Sequence, residues 1–137
     1  MTSLPALILS AVMLIGFPPW TTQNRRPITP FLSEKPIDCE TFAAQLDISI
    51  IEWRELKDTR MIFIARLGDG ERDRKINRGR HEWLEEYLQK KGVAYVFAEG
   101  DRVKGLGRME VYVGGRLVMS APTKRGVRRL CFGDLAF

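Results

Sequence analysis

Two short apolar runs separated by one amphipathic segment constrain this chain more than any other feature in it. Arg60 to Leu67 (RMIFIARL) is compact and rich in β-formers, with Asp58 before it and Gly68, Asp69 and Gly70 after it, the pattern of a central strand. Ile76 to Lys91 (INRGRHEWLEEYLQKK) has helical periodicity, with Ile76, Trp83, Leu84, Tyr87 and Leu88 on the buried side and Gly92 as its stop. Ala94 to Ala98 (AYVFA) follows as a second strand. A strand, helix, strand unit of this length joins parallel strands through a right-handed crossover. Gly79 lies inside the helix at a cost of roughly 1 kcal/mol relative to alanine, which predicts a close packing contact there.

The flanking segments complete a small domain. Asp38 is placed to cap a helix whose apolar positions Phe42, Leu46, Ile50 and Trp53 share one face and which ends near Lys57. Arg108 to Val113 and Arg116 to Ser120 flank Gly114-Gly115, a hairpin signal because both turn positions tolerate positive φ. The fold class expected is α/β (α+β): a small two-layer sandwich of two main helices on a mixed sheet of about three to four strands, with a C-terminal hairpin.

Upstream, Leu4 to Trp20 (LPALILSAVMLIGFPPW) carries no charge, and its apolar heart has the length of a signal-peptide core. A spanning helix needs about 20 apolar residues, so residues 1–20 are expected to be a signal peptide or an N-terminal membrane anchor. Residues 21–36, with Pro27, Pro30 and Pro36, read as an extended linker, and 37–137 as one domain. Arg25 and Arg26 follow the apolar run and favour a cytoplasmic side for that flank, which keeps an inverted anchor open. The 22 Lys and Arg against 17 Asp and Glu give a formal net charge of +5, favouring an acidic partner. Nucleic acid is the lesser expectation, because Trp83 and Tyr87 are committed to the core rather than interleaved with the basic residues.

Cys39 and Cys131 stand at opposite ends of the domain, without a histidine or further cysteine at metal-ligand spacing. They are expected to form a disulfide if the domain is exported, and to be buried thiols if it stays inside the cell. No metal or cofactor is expected, and no enzyme. The single histidine, His81, has no motif-fixed nucleophile beside it, and Glu99 and Glu110 occupy ordinary strand positions. Glu99 to Arg108 (EGDRVKGLGR) leads into a strand rather than a helix, so its glycines are read as structural. The basic run Arg72, Arg74, Lys75, Arg78 and Arg80 opens the second helix, where backbone N–H groups also favour anions; this is the leading anion-binding candidate.

The order of a helix, RMIFIARLG, INRGRHEWLEEYLQKKGV, AYVFAEG and GRMEVYVGG resembles an OmpA-like, peptidoglycan-associated domain over roughly Cys39 to Val118. In that family an LSxxRA motif opens the second helix; Ile76 to His81 (INRGRH) occupies it here. The resemblance puts Arg80 on the arginine that grips a peptide-stem carboxylate, with Asn77 and Arg78 beside it. The family's GHTD-like segment corresponds to ARLGDGE, with Asp69 the nearest stand-in for its aspartate, and the family's opening strand has no counterpart recognisable in the proline-rich segment. The resemblance implies an exported, periplasmic or envelope-associated domain binding peptidoglycan or another anionic envelope polymer. A module that kept the scaffold without the ligand is the alternative.

Overall fold

A computed structural model of the chain describes residues 29–56 and 59–128. Two helices, α1 (Cys39–Arg54) and α2 (Lys75–Lys90), accompany five strands, β1 (Phe31–Leu32), β2 (Met61–Arg66), β3 (Tyr95–Glu99), β4 (Arg108–Val113) and β5 (Arg116–Pro122). The mixed sheet has the order β1-β5-β4-β2-β3. β2 and β3 pair in parallel, which the crossover through α2 makes possible, and β2, β4 and β5 pair antiparallel in turn. The expected α/β class holds. The expected residues 1–20 leader lies outside the described residues, and no described helix is long and apolar enough to cross a membrane.

The strand count is five rather than three to four, and the extra strand comes from the segment expected to be a linker. Phe31 and Leu32 run parallel to Met119 and Ser120 of β5. The Ser33 N–H donates to the Ser120 carbonyl at 2.9 Å, and Arg108 Nη2 donates to the Ser33 carbonyl at 2.8 Å. Phe31 also packs on the core. A two-residue strand has no periodicity of its own to detect; its pairing comes from β5.

Local chemistry accounts for the element ends. Asp38 is extended and its carboxylate accepts the Thr41 N–H at 2.7 Å, satisfying one of the free donors at the start of α1. Gly114 and Gly115 both take positive φ, 58° and 77°, in the β4–β5 turn. One extra residue in β5 opposite the Val111–Tyr112 step makes a bulge there.

The core lies between the helices and one face of the sheet. Met61, Phe63 and Ala65 of β2, with Met109, Val111 and Val113 of β4, are buried against Phe42, Leu46 and Ile50 of α1 and Leu84, Tyr87 and Leu88 of α2. The helices touch each other through an edge-to-face contact of Phe42 with Trp83 and through Tyr87, whose hydroxyl donates to Asp47 at 2.6 Å. Burial, reinforced by that bond, pushes the Tyr87 hydroxyl well above its ordinary pKa. Ile76 and Trp83 are only half-buried; Asn77 and Arg80 take the interior positions of the first turns instead.

Gly68, just after β2, lies against the backbone of Gly105, Leu106 and Gly107, where a Cβ would collide with main-chain atoms. Gly79 of α2 is equally tight, against the Arg128 side chain, so the close contact expected at Gly79 comes from the segment after β5 rather than from a helix. Gly68→Ala is expected to cost about 1–3 kcal/mol; a urea unfolding midpoint equal to that of the wild type would contradict the close approach.

Candidate functional site

Three segments converge beyond the carboxyl end of β2: the β2–α2 loop, the β3–β4 loop and the chain after β5. The Asp69 N–H donates to the Gly105 carbonyl and Asp69 Oδ2 accepts the Gly105 N–H, both at 2.7 Å. The Val103 N–H reaches the Leu67 carbonyl at 3.0 Å, and the Thr123 N–H the Gly107 carbonyl at 2.8 Å. Arg102 Nη1 donates to the carbonyls of Gly68 and Glu71, fastening the second loop onto the first.

Inside this convergence sits an ion pair. Arg80 and Glu71 are 0% and 1% exposed, and Arg80 Nη2 lies 2.8 Å from Glu71 Oε2. Glu71 Oε1 accepts the Gly68 N–H at 2.9 Å, and Oε2 also accepts the Gly126 N–H at 3.0 Å. Arg80 Nη1 donates to Asn77 Oδ1 at 3.1 Å, and Nη2 also reaches the Lys124 carbonyl at 3.4 Å. Burial alone would raise the Glu71 pKa. The Gly68 N–H, the Arg80 guanidinium and the Gly126 N–H outweigh it and hold the carboxyl below its ordinary value. Arg80 Nε and Thr123 Oγ1 are buried without a hydrogen-bond partner.

The residues singled out in the sequence therefore part company. Arg80 is enclosed, with Glu71 and Asn77 occupying its guanidinium, so it is not presented to a ligand. Asn77 is also buried, 2% exposed. Arg78 is exposed on α2, and Asp69 is exposed but bonded to Gly105. Cys39 is buried at the first position of α1, and no described cysteine is a free thiol; Cys131 lies outside the described residues. His81 stacks on Phe97 with a ring-centroid distance of 4.3 Å, and its Nε2 is 3.2 Å from the Tyr95 hydroxyl. Glu110 accepts from Arg66 and from the Tyr112 hydroxyl, and its strand β4 is separated from Glu99 on β3 by β2.

What opens to solvent is a neighbouring cleft of about 380 Å³, lined by Leu67, Arg74, Asn77, Glu99, Gly100, Asp101 and Arg102. It lies outside the carboxyl ends of the parallel strands β2 and β3 and at the start of α2. Arg74 and Arg102 supply cations, Glu99 and Asp101 anions. The first turn of α2 contains no acidic residue, but the Asp73 carboxylate just before it accepts the Lys75 N–H at 2.8 Å and occupies part of the helix's positive end. Sequence reasoning found Arg74 and Asn77 but missed Arg102 and Asp101, which reach the cleft only because β3 lies beside β2. Glu71 was visible only as one acid within a basic run; nothing in a nine-residue separation from Arg80 signals a pair. Among the described residues, no cluster of three or more histidine, cysteine or acidic side chains could hold a metal ion.

Compared with protein-family models, curated proteins and solved structures, the chain matches none.

The buried pair predicts a specific response. Arg80→Ala strands a buried carboxylate and is expected to cost about 3–5 kcal/mol. Because the folded Glu71 titrates below its unfolded value of about 4.3, its stabilisation is complete above that pH and is lost as pH falls through the folded value. Urea titrations from neutral to acid pH should show this loss in the wild type and a smaller one in Arg80→Ala; parallel pH profiles would contradict it.

Proposed function

We propose that the chain is an exported or envelope-associated, non-enzymatic domain that binds an anionic cell-wall component, peptidoglycan foremost, at the cleft beside the start of α2. The observation that carries this reading is the cleft's position, where Arg74 and Arg102 stand at the carboxyl ends of two parallel strands beside the start of α2. Exposed Arg72, Lys75 and Arg78 extend the basic surface. Guanidinium groups suit carboxylates because they donate in a planar fork. The uncharged leader, the cysteine pair and the OmpA-like helix opening support export, and a Cys39–Cys131 bridge belongs to that reading.

The ligand contact is assigned to Arg74 and the outer basic residues rather than to Arg80. A second reading, a scaffold that serves protein interaction or structure without a wall ligand, is favoured by the burial of Arg80 itself. The two separate on isolated peptidoglycan. The purified full chain should bind it saturably, and Arg74→Ala together with Arg78→Ala should weaken binding about tenfold, equivalent to about 1.4 kcal/mol. Absence of saturable binding, or equal retention of the variant, would remove the wall-binding reading.

A further inference from the structure

The two edges of the sheet are treated differently. At one edge, β1 is two residues long and β5 ends in Pro122, so little free strand is offered there. At the other, β3 presents Tyr95-Val96-Phe97-Ala98-Glu99, with no proline, lysine or bulge to blunt it. The alternation of the β2–β3 ladder is fixed by two bonds: the Met61 N–H donates to the Ala94 carbonyl, and the Gly100 N–H to the Ala65 carbonyl. Even-numbered residues of β3 therefore face β2. The N–H and C=O groups of Tyr95, Phe97 and Glu99 point away from the sheet, and among the described residues none of these six has a partner.

We propose that this edge is a homodimer interface in which β3 pairs antiparallel with β3 of a second copy about a two-fold axis at Phe97. That register opposes Phe97 to Phe97 of the second copy and Tyr95 to its Glu99. All three outward residues then exchange both bonds with their opposite number, giving six hydrogen bonds. The strand's one charge meets a tyrosine rather than its own copy. Centring the axis on Glu99 would instead set two carboxylates face to face and lose pairs.

The side chains agree with this choice. On the face away from the helices, Val96 opposes Ala98 of the second copy in a close, non-hydrogen-bonded pair. Val96 is 40% exposed and its β2 neighbour Ile62 38%, so the join continues an apolar strip from one sheet into the next. The contact is closed by its own symmetry: each copy uses up the one long free edge among its described strands, and the ten described strands form one sheet without a further β3 edge to propagate. The cleft at the β2 and β3 carboxyl ends lies beside the join, so this inference stands whether or not the cleft binds cell wall.

Sedimentation velocity of the purified full chain over a range of concentrations tests it. Wild type should sediment as a dimer. Glu99→Pro removes an outward N–H while leaving the β2 ladder intact, and Val96→Lys places a cation in the apolar join; both should sediment as monomers with unchanged far-UV circular dichroism. A wild-type monomer, whose edge would then serve a strand of another protein or a terminal segment of this chain, overturns the proposal. So does a dimer that persists in folded Val96→Lys.

Discussion

The arrangement depends on burying a guanidinium and a carboxylate together. Taking either charge out of water alone costs several kcal/mol, so Arg80 and Glu71 can be interior only because each finds the other and the carboxylate's remaining lone pairs find donors. Those donors come from separate parts of the chain: Arg80 from α2, Gly68 from the end of β2, Gly126 from the segment after β5. The ion pair therefore favours one register of the three segments. It penalises any arrangement in which the three segments meet in a different register, because the mismatch leaves a buried charge unsatisfied.

That constraint also shapes the surface. With Arg80 drawn inward and Arg102 fastened across the first loop, the β2–α2 and β3–β4 loops are held together at the carboxyl ends of β2 and β3, with the cleft beside them. That cleft is lined by the exposed Arg74 and Arg102 and by Asn77, whose side-chain carbonyl oxygen accepts from Arg80. The buried pair thus sets the site's geometry without itself being offered to a ligand. Replacing Arg80 would disturb the cleft indirectly, through Asn77 and the loops.

Much of the fold was legible because its signals are local. The β-rich run at Met61–Arg66, the amphipathic helix stopped before Gly92, the Asp38 cap and the Gly114-Gly115 turn each declare themselves within a few residues. β1 did not, since two residues carry no pattern and its pairing depends on β5. The site was less legible for a related reason. An arginine at a helix opening looks like a ligand grip or a core ion pair equally well, and only the distance to Glu71 decides. Arg102 and Asp101 join Arg74 through strand adjacency, which is a property of the sheet and not of any stretch of sequence.

The central claim is that Arg80 and Glu71 are coupled inside the fold. A double-mutant cycle measures this directly, using urea unfolding of wild type, Glu71→Leu, Arg80→Met and the double variant at neutral pH. Coupling predicts that the double variant is more stable than at least one single variant, with an interaction energy of about 1–3 kcal/mol. Strictly additive losses would contradict it.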